Sequence, residues 1–190
     1  MKKYVFFCSN PVNGGTAKVF KELTTYIMEH EEEITVVPCI NEKNTVLAYK
    51  DIKTLKRLPV YSEEEFLGEL KNERHTVKRV IRRMLRNIRY YKIKTQNIKV
   101  MRDFLKYESP YGIMVHNGGY VGDDLCNQLL KAAHMEGINR VISVFHNDFR
   151  KNWIRKQLLF FYDRNINRWT HEIVTVSEYT KNRILDNSYI

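Results

Sequence analysis

The 190-residue chain has no apolar run approaching the roughly 20 residues that a membrane-spanning helix needs. It also has few cysteines: Cys8, Cys39 and Cys126 are widely spaced and form no CxxC pair. This odd, scattered set argues against a disulfide framework and predicts buried free thiols in a cytoplasmic protein. The apolar segment 4–8 is too short for a signal peptide and is broken by Asn10-Pro11, so we interpret it as a first strand.

Several catalytic and metal-binding patterns are missing as well. The chain has no Walker loop, no GxGxxG, no GxSxG nucleophile elbow and no HxxxH or HxH pair. No helix-turn-helix spacing, zinc-ligand set or ribonucleoprotein aromatic signature accompanies its basic residues. We therefore expect no bound metal and no serine hydrolase, and we do not expect nucleic acid as the main partner.

The balance of charge is basic, because 32 lysines and arginines against 22 acidic residues give a formal net charge of +10. Such a chain favours an anionic partner, namely nucleic acid, anionic lipid headgroups or a phosphorylated substrate. Much of the excess lies in residues 74–94, where apolar residues follow a helical period and basic residues occupy the remaining surface. The apolar positions are Val77, Val80, Ile81, Met84, Leu85 and Ile88.

This basic amphipathic helix has three interpretations. It is a solvated face on a helix that packs against a sheet, an interfacial helix attracted to anionic lipid, or a surface that binds nucleic acid. The helix belongs to a region at about residues 62–107 that we interpret as an inserted basic helical region. Ser62 caps its first helix, and a separate helical piece at 98–107 ends it before Pro110.

Short apolar runs alternate with helix-like segments in residues 111–177. The runs are 113–116, 141–146 and 173–177, and the helical segments between them are 121–135 and 153–168. This βαβαβ pattern is typical of a buried parallel sheet with helices on its faces. Upstream we predict strands at 4–8, 34–39 and 45–49, with a helical turn at 51–57. The predicted fold is α/β, a Rossmann-like parallel sheet flanked by helices, in a single domain over residues 1–190. Gly137 is a predicted helix stop and Ser177 a predicted helix cap.

Polar segments follow three of the predicted strands, and ligands bind at the carboxyl ends of such strands. Gly14-Gly15 precedes a helix that starts at Thr16, so this loop is either an anion site built from backbone N–H groups or a tight turn. His116-Asn117-Gly118 and His146-Asn147 follow later strands. A histidine there acts as acid or base, donates to a sugar hydroxyl, binds phosphate, or satisfies loop carbonyls. Asp123-Asp124 is either a carboxylate pair or the acidic start of a helix.

The order of these features resembles the amino-terminal domain of a GT-B glycosyltransferase, similar to the retaining family-4 group. The matching features are the glycine loop after the first strand, His116-Asn117, Val144-Phe145-His146-Asn147 and the segment from Val174 to Lys181. The resemblance covers residues 1–28 and 111–185, and the basic middle of the chain matches nothing specific.

The resemblance implies roles for individual residues. In such enzymes the glycine loop, here Gly14, Gly15 and Thr16, approaches the donor diphosphate, and the histidine matched by His146 lies near the transferred sugar. His116, Asn117, Gly118 and Asn147 are the matching candidates for substrate binding. Transfer would retain the anomeric configuration, with a sugar nucleotide as co-substrate and neither a metal nor another cofactor.

The resemblance also implies a partner domain. The family's donor-binding half, which carries an EX7E segment, is absent from these residues, so we expect this chain alone to be an incomplete and inactive half. We expect it to bind a saccharide or lipid-linked acceptor in surface polysaccharide or glycolipid biosynthesis. The expected location is cytoplasmic, at the inner face of the membrane, with helix 74–94 on anionic lipid. The alternatives are a non-catalytic Rossmann-like module that binds nucleic acid or another polyanion, and a regulatory domain that binds phosphate or a nucleotide through residues 13–16.

Overall fold

Six parallel strands form one sheet in the computed structural model, which describes residues 1–10, 14–45, 47–62, 65–66, 76–118, 124–146, 160 and 163–187, with residues 48 and 76–83 described by their backbone alone. The strands are β1 (Lys2–Cys8), β2 (Ile34–Asn41), β3 (Lys56–Leu58), β4 (Gly112–Asn117), β5 (Val141–Phe145) and β6 (Glu172–Thr175). Their order across the sheet is β3-β2-β1-β4-β5-β6. The predicted Rossmann-like parallel sheet is confirmed.

The direction in which the chain adds strands reverses between β1 and β4, which are neighbours in the sheet. Tyr4 of β1 faces Gly112 of β4, and Cys8 faces His116. From β1 the chain proceeds outward through β2 and β3, and from β4 it proceeds the other way through β5 and β6. In sheets of this topology a crevice lies at the carboxyl end of the sheet, between the two strands from which the order proceeds in opposite directions.

Helices cover both faces of this sheet. They are α1 (Gly15–His30), α2 (Thr76–Glu108), α3 (Asp124–Met135) and α4 (Glu178–Asn187), together with helical residues 163–169 and a short 3-10 helix, Leu47–Tyr49. On one face Phe20 of α1 and Tyr49 pack with Phe6 of the sheet. On the other face Met101 of α2 and Leu129 of α3 pack in a second core cluster. The two clusters hold the strands between the helices, so the carboxyl strand ends are fixed in position.

Several helix ends follow the predicted local chemistry. The amide of Glu65 donates to the Ser62 hydroxyl (3.2 Å) while the Ser62 amide donates to the Glu65 carboxylate (2.7 Å), which is a reciprocal capping box. The Ser177 hydroxyl accepts from the amide of Thr180 at 3.1 Å at the start of α4. Gly137 has a φ of +71° just after α3, a conformation that favours glycine. The predicted caps and stop are confirmed.

The prediction for residues 45–57 was wrong. The third strand lies at Lys56–Leu58 and overlaps the end of the segment predicted to be helical, and Leu47–Tyr49 is a 3-10 helix rather than a strand. The reason is tertiary packing: the Tyr49 ring is fully buried edge-on against Phe20, with ring centroids 5.6 Å apart, and its hydroxyl lies 3.1 Å from the Cys8 thiol. The local apolar pattern gives no indication of these contacts with distant residues.

The predicted break before residue 98 was also wrong, because α2 runs without interruption from Thr76 to Glu108. No glycine or proline lies within it. Its second half is a crossover helix on the sheet, with Met101 and Leu105 buried. The described part of the predicted apolar stripe is instead exposed: Met84, Leu85 and Ile88 are 62%, 53% and 60% accessible.

No described helix is long and apolar enough to cross a bilayer. All three cysteines, Cys8, Cys39 and Cys126, are buried and free, as predicted.

Candidate functional site

A cleft of about 430 Å³ lies at the carboxyl end of the sheet, where the chain leaves β1, β4 and β5. The described residues that line it are Asn10, Gly14, Gly15, Thr16, Val19, Gly118, His146 and Val176. The structure thus brings the predicted glycine loop, Gly118 and His146 together at one opening. None of these eight lining residues carries a formal charge if the histidine is neutral.

The amino terminus of α1 forms one side of the cleft. Gly14 is extended, no side chain of the described residues caps the helix, and the first turn contains no acidic residue. The first intrahelical bond runs from the Lys18 amide to the Gly14 carbonyl at 3.1 Å. The preceding N–H groups of the first turn therefore lack intrahelical acceptors, and they carry the positive end of the helix dipole. This end of α1 is suited to a negatively charged ligand group.

The described neighbours of Gly15 do not require glycine at this position. A Cβ placed on it would have no described atom within 4 Å, and its φ lies outside the left-handed region. The described packing and the backbone geometry therefore both accept a side chain here. A methyl group added at position 15 would occupy space in the cleft, where a ligand would approach the backbone.

His116 and His146 form a pair beside the cleft. His116 is fully buried at the end of β4, with its ring edge-on to Phe20 of α1 at a centroid distance of 5.2 Å. Its Nδ1 lies 3.2 Å from Nε2 of His146, and the two rings stack with centroids 5.4 Å apart. Its Nε2 has no hydrogen-bond partner in the part of the chain that the structure describes. Only His146 of the pair lines the cleft.

Both histidines are neutral near pH 7. Burial, reinforced by the neighbouring His146, lowers the pKa of His116 to about 3. Burial lowers the pKa of His146 to about 4. A neutral imidazole either donates or accepts at each nitrogen, and it provides no positive charge for a phosphate. Of the sequence-based options for His146, the geometry favours hydrogen bonding or proton acceptance.

The remaining candidate residues lie in different places. The Asn117 side chain is fully buried, and its carbonyl oxygen accepts a 3.2 Å bond from the His146 amide, so the Asn117 backbone helps to place His146. Asn147 lies outside the described residues, as does Asp123. The Asp124 carboxylate, at the start of α3, bonds Lys94 and Gln128, each at 3.0 Å. For Asp124 the structure favours the acidic helix start over a carboxylate pair at the cleft.

Three lining residues were not singled out from the sequence: Asn10, Val19 and Val176. Asn10 lies in the loop after β1, and its carbonyl oxygen accepts bonds from the Asn44 side chain (3.0 Å) and the Tyr49 hydroxyl (3.4 Å). The turn composition around Asn10 was the only local indication that this residue belongs to the site. The bonds that hold its carbonyl come from Asn44 and Tyr49, more than thirty positions later in the chain. Val176 lies just after β6, between the strand and the Ser177 cap.

Among the described residues, no three histidine, cysteine or acidic side chains come together in a way that would hold a metal ion. The expectation that the site works without a metal stays a prediction.

No family model and no curated protein matches this chain. Among solved structures, it is similar to UDP-GlcNAc 2-epimerase from Neisseria meningitidis, whose crystal structure contains bound UDP-GlcNAc. The TM-score is 0.57 at 15% sequence identity, and the alignment covers 100% of this chain and 45% of that one. The chain thus spans less than half the length of the structure it matches. At this identity the likeness concerns the fold alone, and the chain has a GT-B-like Rossmann fold.

Proposed function

We propose that this chain is the acceptor-side half of a sugar-nucleotide-dependent retaining glycosyltransferase. The observation that carries the proposal is the cleft, where an uncapped helix terminus, a sterically open glycine and a neutral histidine meet at the topological switch point. The GT-B-like fold, found also in an enzyme with bound UDP-GlcNAc, supports a sugar nucleotide as the ligand. The family-4 resemblance of the sequence supports glycosyl transfer as the reaction.

In this mechanism the two ends of the ligand meet different groups. The N–H groups at the start of α1, from Gly15 and Thr16, hold the donor diphosphate and stabilise the charge that develops as it leaves. None of the described lining residues is a lysine or arginine, so among them the backbone dipoles of α1 provide this stabilisation. His146 donates to a hydroxyl of the transferred sugar. A second domain, as in GT-B enzymes, would bind the nucleoside, and no metal takes part.

Binding of UDP-GlcNAc, followed by saturation-transfer NMR and titration, tests the cleft. We expect His146→Ala to weaken binding about tenfold, the effect of losing roughly one hydrogen bond. His171→Ala is the matched control, because His171 is exposed and lies outside the set of cleft-lining residues. Equal affinity of the His146→Ala variant and the wild-type protein would remove His146 from the site.

Epimerisation of a sugar nucleotide is a second candidate, favoured by the likeness to UDP-GlcNAc 2-epimerase. The products separate the two reactions in an enzyme that contains both domains. Transfer releases UDP and gives a glycoside of unchanged anomeric configuration, whereas epimerisation changes the sugar itself, and proton NMR distinguishes them. Formation of an epimer without an acceptor would contradict glycosyl transfer.

We further propose that α2 attaches the protein to anionic lipid, which would bring a lipid-linked acceptor to the cleft. The α2 stripe, Met84, Leu85, Ile88 and Tyr91, is exposed. The exposed cations Arg89 and Lys92 are next to it in the sequence, and no acidic residue lies between Thr76 and Arg102. Apolar side chains beside cations suit a headgroup layer, whereas nucleic acid would engage the cations and leave Met84 and Leu85 unused.

Flotation with liposomes containing phosphatidylglycerol tests this attachment. We expect Leu85→Glu to reduce binding several-fold, while Leu185→Glu on α4 leaves it unchanged, because the two leucines are equally exposed at 53% and 52%. Binding to neutral and anionic liposomes alike would contradict the role of charge. Tight, salt-sensitive binding to RNA that Leu85→Glu does not alter would favour the polyanion-binding alternative.

A further inference from the structure

His116 lies at the end of β4, at the carboxyl end of the sheet, but it is not among the described residues that line the cleft. Its side chain is fully buried beneath α1, in ring contact with Phe6 and Phe20. His146 does line the cleft, and its Nε2 lies 3.2 Å from Nδ1 of His116. Among the described residues, His146 therefore connects His116 to the cleft.

The hydrogen bond between the two rings restricts where their protons reside. Two neutral imidazoles share one N–H across the 3.2 Å contact, so either Nδ1 of His116 donates to Nε2 of His146 or the reverse occurs. In the reverse arrangement the proton of His116 would be on Nε2. That nitrogen is buried and has no acceptor among the described residues.

Among buried polar groups of proteins, an N–H donor without an acceptor is rarer than an under-satisfied acceptor. The packing around His116 is aromatic, with Phe20 edge-on to its ring and Phe6 at a centroid distance of 6.3 Å. This environment favours the proton of His116 on Nδ1, where it is used in the bond to His146. Nε2 of His146 is then an acceptor, and the proton of neutral His146 must be on Nδ1.

We propose that His116 is a positioning residue that directs the proton of His146 to Nδ1, so that His146 presents an N–H donor to an uncharged oxygen of the ligand. The inference rests on the proposed function, because it assigns the sugar end of the nucleotide to His146 and the diphosphate end to α1. A neutral N–H suits a sugar hydroxyl or carbonyl oxygen. Fixing the ring by a second histidine removes the tautomer and rotation choices that a lone imidazole has.

Nitrogen-15 NMR of the histidine rings tests the tautomer directly, without a ligand and without a variant. Long-range proton–nitrogen correlation spectra of the wild-type protein at pH 7 should show His146 protonated on Nδ1. Protonation of His146 on Nε2 would overturn the inference. This readout is independent of the proposed function, because it concerns only the two rings.

Variants of His116 test the positioning role. His116→Leu removes the donor, and we expect His146 to lose its single tautomer and show a mixture. His116→Asn carries an amide nitrogen close to the place of Nδ1, and we expect it to restore the Nδ1-protonated form. Ser143→Ala is the control, because it removes another buried polar atom without a described partner, on the adjacent strand β5. An unchanged His146 tautomer in the leucine variant would contradict the role.

Ligand binding then separates the two ends of the nucleotide. We expect His116→Leu to weaken UDP-GlcNAc about tenfold and UDP less than twofold, with His116→Asn recovering most of the loss. Equal weakening of both ligands would place His146 on the diphosphate and overturn the assignment to the sugar. If neither ligand binds an enzyme that contains both domains, the proposed function fails while the tautomer experiment still decides the positioning role.

Discussion

Two buried polar side chains, Glu108 at the amino end of the sheet and His116 at its carboxyl end, differ in the hydrogen-bond partners that the protein provides for them. At the amino end, the Glu108 carboxylate is buried and pairs with Lys56 and with Lys3, whose ammonium also donates to the Glu108 carbonyl at 2.9 Å. At the carboxyl end, His116 is buried with one nitrogen unpartnered among the described residues, and its other nitrogen bonds only His146. Glu108 is thus held by charged partners within the protein, which stabilises the fold. His116 instead bonds a residue that lines the open cleft, where a ligand would bind.

Two glycines show the same contrast. A Cβ on Gly112, at the start of β4, would lie 2.7 Å from Cε1 of Tyr4 and 2.8 Å from the carbonyl oxygen of Arg140. A Cβ on Gly15, at the cleft, would have no atom of the described residues within 4 Å. The first glycine is required by packing inside the protein. The second is free of such a requirement, and the cleft is the place where its small size matters.

The largest expected effect is that of Gly112→Ala, which we expect to lower the free energy of unfolding by about 3 kcal/mol, because a backbone carbonyl cannot move away as a side chain can. Gly15→Ala should change it by less than about 0.5 kcal/mol, since it meets no atom. Urea denaturation of both variants measures the difference. Binding of UDP-GlcNAc should show the reverse order, with Gly15→Ala weakened. Equal destabilisation of the two variants would break the contrast between the ends.

A smaller loss is expected from Glu108→Gln, about 2 kcal/mol, because the amide keeps the shape but loses charge-assisted bonds to two lysines that remain partly hydrated. Asp51→Asn is the control: its 2.6 Å bond to Lys21 is exposed, and its removal should leave stability unchanged. Thermal and urea denaturation at pH 7 test both variants. If Glu108→Gln leaves the free energy of unfolding unchanged, the ion pairs of Glu108 do not stabilise the amino end of the sheet.

The pH range of this effect follows from the shift of Glu108. Burial raises the pKa of the Glu108 carboxyl, but hydrogen bonds and charge from Lys56 and Lys3 outweigh burial and lower the pKa below its ordinary value of 4.5. The stabilisation is therefore present above pH 4.5 and is lost as the pH falls through the lower folded-state pKa. The difference between wild type and Glu108→Gln should stay constant from pH 7 to pH 5.

Much of the fold was predictable because its signals are local. Buried parallel strands are continuous apolar runs, and Ser62, Ser177 and Gly137 mark helix ends through bonds to residues at most four positions away. The third strand was not predictable in this way. It depends on Cys39 pairing with Lys56 and on Tyr49 filling space under Phe20, and neither contact has a signature in the local sequence.

The candidate site was predictable in its parts and not in its arrangement. Strand ends indicated Gly14, Gly15 and His146, and the structure places them around one cleft. The contact between His116 and His146 could not be inferred, because it requires β4 and β5 to be neighbours with His116 opposite Val144. The burial of His116 beneath α1 likewise depends on Phe20, nearly a hundred positions earlier in the chain. Register and helix docking decide which histidine meets a ligand.

The smallest expected effect is a pH dependence of the free energy of unfolding between pH 7 and pH 5.5. His116 at the carboxyl end of the sheet should contribute to it, whereas Glu108 at the amino end should not. Unfolded His116 takes up a proton as the pH falls through its ordinary pKa of 6.5, whereas burial keeps the folded residue neutral until the pH approaches about 3. The unfolded state then binds more protons, so stability falls as the pH drops below 6.5, by about 1 kcal/mol between pH 7 and pH 5.5 for this histidine. His116→Asn does not titrate and should remove this part of the slope, while His146, whose pKa burial lowers to about 4, continues to contribute its own part. Urea denaturation at half-unit steps of pH measures the slopes. Because Glu108 should contribute no slope between pH 7 and pH 5, a slope in this range that His116→Asn leaves intact would have to come from groups other than the buried histidine.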